Sequence, residues 1–440
     1  MAASDPSAAS AVPLASVTRR VVVGQMLFTA GHALSSGGFL YYFANEFHPS
    51  AALFSLLQVA PEVAETAGLF VRPLLSILGG RKRLWITLLI VARIAALGVP
   101  AMAFPALRPA GVDPFWVIIA SVALWYACQG LSFVAYLSWL SDLAPERQWG
   151  RFFAARQMST IAVNLVVPVV ASYARAHWRE TFSDEAELWS FVAAFLVGGV
   201  LAVTSIVPLL LLPSVPTRSA ERSLPSFGML RRAVADRSFR FVLAQSWWLS
   251  CAQGLSQAAL FKFQVNALQI PLHIYYAMTS VMLLLQLPLS AWAGRLSDRY
   301  GDRRPLFVSL LAVSGAMLFV IAATPDRWWL MFGAYATWGL FGIVNVCSQN
   351  LALRLAPASD NTVHFSLFRQ IGGLLAGIAG LCGGLWLDRL LQDSTQIDVA
   401  GWELDSFQIV FVVSLLGRAT APLWLLGVRK RHTDASAMRR

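Results

Sequence analysis

The chain has 440 residues, 57% of them hydrophobic and 13% charged, where a soluble domain carries about 25% charged residues. A soluble fold of this length cannot hide that much apolar surface, so lipid must solvate most of it. The net charge of +11 does not make a nucleic-acid binder, because the basic residues stand in short clusters between apolar runs and form no continuous patch.

Residues 1–18 are rich in Ala, Ser and Pro and contain no basic residue, unlike the positive start of a cleaved signal, and read as a short disordered cytoplasmic leader. Apolar runs then predict an all-α membrane protein with 12 transmembrane helices, at 21–45, 50–78, 84–106, 114–141, 151–174, 187–212, 238–262, 272–293, 305–323, 328–353, 363–387 and 406–428. Each run is near or above the roughly 20 residues that cross a bilayer. Of the 34 basic residues, 25 fall in the termini and even-numbered loops and five in the odd-numbered loops. That bias places both termini in the cytoplasm of a multi-pass protein, expected in a bacterial inner membrane as a monomer in contact with lipid.

The segment 213–237 is basic, contains Pro and Ser, and has no long apolar run, so it reads as a cytoplasmic linker between two six-helix bundles, 19–212 and 238–428. Residues 429–440 form a basic cytoplasmic tail. The halves echo each other: Leu143 to Pro145 and Leu355 to Pro357 both read Leu-Ala-Pro, and Phe152/Arg156/Gln157 match Phe365/Arg369/Gln370. An offset near half the chain argues for internal duplication, the arrangement that permits alternating access.

The loop after the eighth span reads GRLSDRYGDRRP, from Gly294 to Pro305. Gly294 reads as allowing close helix approach, Gly301 as a tight turn, and Arg303 and Arg304 as partners for carboxylates or lipid phosphates. Here the sequence resembles the major facilitator superfamily, whose signature loop Gly294, Leu296, Asp298, Arg299, Gly301, Arg303 and Arg304 match, with Asp302 at a usually basic position. The resemblance implies that Asp298 and its neighbouring arginines hold a cytoplasmic gate. The first-half copy keeps Gly80, Arg81, Lys82 and Arg83 but has Ile77 where the acid would fall. Asp142 and Arg151 in the loop after the fourth span also resemble the family's pattern and are expected to pair in the gate.

Charges at membrane depth are the strongest functional candidates, since insertion scales charge about 2.5–3.5 kcal/mol for Asp, Lys or Arg at a helix centre. Glu62 and Glu65 lie one turn apart on the second span. Glu65 stands about 21 Å from the cytoplasmic helix end and Arg93 of the third span about 15 Å. A carboxylate there either binds a proton or sodium for coupling or neutralises Arg93. Lys262, near the outer end of span seven, reads as snorkelling to the interface, and Arg418 as facing the bundle.

Family geometry implies that spans one, four, seven and ten surround the solute cavity. Their polar candidates are His32, Gln129, Tyr136, Gln253, Gln257, Tyr335, Asn345 and Gln349, with the amide pairs at 253/257 and 345/349 each four residues apart. Such stripes suit hydrogen bonding to a polar organic solute, or polar packing between helices. No Walker loop, HExxH, dinucleotide fingerprint or nucleophile elbow occurs, and no cofactor is expected. The expectation is a non-enzymatic secondary transporter of a small organic solute, proton-coupled. A cation-coupled sugar symporter and a non-transporting receptor or assembly factor are the alternatives.

Overall fold

The computed structural model describes residues 14–67, 74, 80–143, 149–182, 186–212, 236–355, 361–399 and 402–428. The described chain is helical but for one two-stranded antiparallel hairpin. It pairs β1 (Ile397–Val399) with β2 (Trp402–Leu404). Nine helical segments among the described residues are long and apolar enough to cross a membrane, and Ala51–Ala64 is a shorter apolar helix. Apolar side chains such as Ile94, Val200, Val308 and Leu416 remain exposed on these segments, as lipid-facing residues do, while the helices satisfy their own backbone groups.

The chain divides into two compact units, the first Met1–Ala220 with Gln269–Ser280 and the second Glu221–Leu268 with Val281–Arg440. The expected halves did not include the transfer of 269–280. Those residues pack with the first unit, where the Tyr42 hydroxyl donates to the Ile270 carbonyl at 2.7 Å and Phe39 N to the Tyr276 hydroxyl at 3.1 Å. The expected linker, leader and tail, and both Leu-Ala-Pro repeats beyond Leu143 and Leu355, lie outside the described residues.

In the first unit the first expected span is broken. Helix α1 (Leu14–Ser35) ends and α2 (Gly37–Asn45) begins at Gly37, whose φ of +56° favours glycine. Helix α3 (Ala51–Glu65) starts on Ser50, whose hydroxyl caps Leu53 N at 3.2 Å. Then follow α4 (Arg81–Ala96), α5 (Pro114–Leu143), α6 (Trp149–Thr181) and α7 (Ala186–Thr204). Gly31 and Gly198 let α1 and α7 touch backbone to backbone, since a Cβ on Gly31 would lie 2.4 Å from the Gly198 carbonyl oxygen. Leu84, Trp85, Tyr136, Trp139, Phe152 and Leu209 belong to one buried apolar cluster that ties α4, α5, α6 and the end of the unit together.

The second unit opens with α8 (Arg237–Lys262), capped by Asp236 on Phe239 N at 2.9 Å. It continues through α9 (Leu272–Tyr300), whose first residues belong to the other unit, α10 (Arg303–Ala322), α11 (Leu330–Trp338), α12 (Phe341–Leu355), α13 (Asn361–Gln392) and α14 (Ser406–Thr420). Helices α8 and α13 meet at Gly254 and Gly383, where an added Cβ would come within 2.1 Å and 2.0 Å of the Ala376 and Leu255 carbonyl oxygens. Helices α1 and α8 are long enough to span but are missing from the nine. Arg19, Arg20 and Gln25 on α1, and Arg237, Arg240 and three glutamines on α8, dilute their apolar character.

Candidate functional site

Four helices of the first unit converge on one polar constellation. Gln25, Phe28 and His32 share a face of α1, Trp85, Leu89 and Arg93 a face of α4, and Trp125, Gln129, Ser132 and Tyr136 a face of α5, each at three- or four-residue spacing. Arg156 enters from α6. A pocket is lined by Gln25, Phe28, Trp85, Gln129, Tyr136 and Arg156 among others.

Arg156 is fixed at the pocket wall. Its Nε donates to Gln25 Oε1 at 2.8 Å, and Gln25, itself buried, is pinned by its Nε2 donating to Thr29 Oγ1 at 2.9 Å. The guanidinium lies 5.5 Å from the Tyr136 ring centre and 5.8 Å from that of Phe133. Tyr136 in turn stacks on Trp85 at 5.4 Å.

Arg93 sits one turn beyond Leu89, deeper along α4, and is only 6% exposed. Its guanidinium lies 5.2 Å from the Phe28 ring centre and 5.4 Å from that of Trp125. Its Nη2 reaches Gln129 Oε1 at a long 3.5 Å, an oxygen that also accepts from Trp125 Nε1 at 3.1 Å. The Arg93 Nε is buried without a hydrogen-bond partner, and so is His32 Nδ1. His32 stacks on Phe28 at 6.0 Å and meets Trp125 and Tyr126 edge-on.

Neither Arg93 nor Arg156 forms an ion pair among the described residues. Glu62, expected beside Arg93, is exposed, and lies within electrostatic reach of Tyr41. The side chain of Glu65 lies outside the described residues. The structure thus brings His32, Gln129, Tyr136 and Arg93 together as one group, with aromatic faces and an amide as the described partners of Arg93. In the sequence Arg156 stands out only in the echo between the two halves; its place seven residues inside α6 is the signal that sets it at the pocket.

The second unit treats its candidates differently. Tyr335 is buried, its hydroxyl accepting from Gln264 Nε2 at 3.2 Å, which is polar packing. Gln253 is half-buried, while Gln257, Asn345 and Gln349 are exposed. Arg418 faces the unit's interior as expected, its Nε donating to Ser414 Oγ at 3.0 Å and its Nη2 to Ser256 Oγ at 2.9 Å. Lys262 does not snorkel: it is 9% exposed and lies within electrostatic reach of Asp388.

The signature loop also departs from expectation. Asp298 and Arg299 are exposed. The buried acid is Asp302, whose Oδ2 lies 3.0 Å from Arg354 Nε and whose other oxygen accepts from Ser297. Gly301 does turn the chain, with φ +73° and its N donating to the Ser297 carbonyl at 2.8 Å. Gly294 does not serve close approach among the described residues, where a Cβ would meet nothing within 4 Å.

Arg303 donates to the Val428 carbonyl at 3.1 Å and the Leu426 carbonyl at 3.4 Å. In the first unit Lys82 donates to the Leu210 and Leu212 carbonyls at 2.8 and 2.6 Å, and Arg20 to Leu211 at 2.8 Å. In both units basic residues therefore satisfy the free carbonyls at the end of the unit's last helical turn. The side chains of Asp142 and Arg151 lie outside the described residues.

Long apolar helices, with a mostly apolar pocket that carries a few polar groups in the first unit, are those of a multi-pass membrane protein. The Major Facilitator Superfamily model matches residues 21–380 and 250–439, and the chain belongs to that superfamily of secondary transporters. It is similar in fold to the nucleoside transporter NupG (D323A mutant), with TM-score 0.70, 13% identity, and 94% of this chain and 100% of that chain covered. A bacterial homologue of the iron transporter ferroportin gives 0.69 at 14% identity over 96% and 100% of the two chains. A D-xylose-proton symporter gives 0.66 at 15% identity over 94% and 97%. No curated protein sequence matches the chain.

Proposed function

We propose that this chain is a proton-coupled transporter of a small organic solute, spanning the membrane 12 times as two six-helix bundles with both termini in the cytoplasm. The observation that carries the reading is the first unit's pocket, where Gln25, Gln129, Tyr136 and Arg156 present hydrogen-bonding groups inside an apolar, aromatic wall. Pockets of this composition orient organic ligands by a few placed polar groups. Glu62 supplies the coupling carboxylate, with Glu65 one turn away. The cost of placing a carboxylate on an apolar helix without function supports that role. For the gate, Asp302 with Arg354 is the better-supported pair on its burial and geometry; Asp298, Arg299, and Asp142 with Arg151 remain proposed gate residues.

The test is proton flux in proteoliposomes loaded with an internal pH dye, screened with pooled organic solutes, with Glu62→Gln and Glu65→Gln alongside. A solute-dependent pH change lost in Glu62→Gln, with the protein still folded, supports coupling at that residue. Labelled-solute uptake that neither substitution alters sinks the proton-carrier role. A chain that binds solute but never moves it is the receptor of the alternative reading.

A further inference from the structure

The first unit holds two guanidiniums that no described carboxylate neutralises, and they stand on either side of the same two side chains. Phe28 and Gln129 line the pocket that Arg156 borders, and the same two side chains contact Arg93. Each Arg leans on two aromatic rings, a contact worth about 0.5–2 kcal/mol. That falls short of the several kcal/mol that taking a cation out of water costs. Arg93 carries the clearest deficit, because its Nε is buried and unpartnered within 94% burial of the residue.

A neutral solute would leave both positive charges uncompensated, and a cation would add to them. An anion in the pocket would offset both. Gln25 holds the Arg156 fork in place before any ligand arrives, so the donor is preorganised. Around that fork the wall is mostly Phe28, Trp85, Leu89, Phe133 and Leu209, with the neutral polar groups of Gln129, Ser132 and Tyr136 among them, which suits a flat or branched apolar body. A single guanidinium matches the two oxygens of one carboxylate, while a dianionic phosphate ester calls for a second cationic contact, and Arg156 is the one charged side chain among the residues that line the pocket.

We infer that the solute is a small monocarboxylate with an aromatic or branched aliphatic body, its carboxylate seated on Arg156 and held in the positive field of Arg93. This names the substrate class of the site in the transport reading above and rests on that reading only for the word substrate; the binding site itself stands apart from it.

The experiment uses the purified full-length chain in detergent and reads its intrinsic tryptophan fluorescence, to which Trp85 and Trp125 beside the pocket contribute among 16 tryptophans, together with thermal stabilisation. The probes are benzoate, phenylacetate and isovalerate, set against benzamide, phenyl phosphate, D-xylose and uridine. Benzoate or another of the three carboxylates is expected to bind saturably, with its neutral or phosphate counterpart at least about tenfold weaker. Arg156→Gln is expected to weaken it by about 10- to 100-fold, the loss of a charge-assisted hydrogen bond. Arg93→Gln, which acts through the field and not by contact, is expected to weaken it less.

Should Arg156→Gln fail to fold, Arg156→Lys keeps the charge, loses the fork, and is expected to bind the carboxylate more weakly than wild type. The carboxylate-to-amide ratio of the unaltered protein needs no variant at all. Benzamide binding as tightly as benzoate, no binding by any of the three carboxylates, or an Arg156 variant with unchanged affinity overturns the inference. Labelled benzoate in proteoliposomes separates the two readings. Binding without flux refutes transport and keeps the anion site, whereas flux of xylose or uridine without carboxylate binding keeps transport and refutes the anion site.

Discussion

Removing Arg354 should harm the fold more than removing the charge of Asp302, although the two residues make one ion pair. The Asp302 side chain is 2% exposed and that of Arg354 58%. Arg354→Ala strands a buried carboxylate with Ser297 as its remaining described donor, and an uncompensated buried charge costs about 3–5 kcal/mol. Asp302→Asn still offers Ser297 an acceptor and leaves Arg354 free to reach water, so its cost is that of a charge-assisted bond, about 1.5–3 kcal/mol. At about 2–4 °C per kcal/mol for a unit of some 200 residues, Arg354→Ala should lower the apparent melting temperature by roughly 10 °C and Asp302→Asn by about half that. The assay is tryptophan fluorescence in detergent at one fixed scan rate, because unfolding of such proteins is under kinetic control. An Asp302→Asn loss equal to or larger than that of Arg354→Ala would refute the claim that burial of the acid sets the asymmetry.

Five further substitutions separate structural from functional residues. Gly254→Ala and Gly383→Ala each drive a Cβ into a carbonyl oxygen and should lose folded protein by gel filtration, whereas Gly294→Ala should behave as wild type. Arg418→Met should be neutral or stabilising by about 1–4 kcal/mol, as for other buried charges replaced by apolar groups of similar size, because Ser256 and Ser414 remain 2.9 Å apart and can bond each other; a large drop in melting temperature would show that the charge itself is needed. Arg303→Ala frees the last carbonyls of the second unit and should cost about 1–3 kcal/mol, read as a lower melting temperature with solute binding intact.

Composition and the placement of basic residues made the membrane class legible, and the Gly294 to Arg304 loop made the family legible, because both depend on local chemistry that a linear pattern records. The constellation around Arg93 was half legible. His32, Gln129 and Tyr136 could be chosen by helix, yet Arg156 could not be joined to them, because that meeting depends on how far α6 runs past α5 before the rings of Phe133 and Tyr136 come under the guanidinium. Glu62 was chosen for its spacing from Glu65, and spacing says which residues share a face but not which way that face turns.

Asp298 and Asp302 show the same limit at closer range. They lie four residues apart on either side of Gly301, and the family pattern favours the first. The positive φ at Gly301 reverses the chain between them, which leaves Asp298 on the outside of the end of α9 and carries Asp302 under Ser297 and Arg354. A usually basic position has become acidic here, and the turn places it where a carboxylate has a guanidinium to meet. The departure from the pattern, and not its agreement, therefore marked the acid that the fold uses.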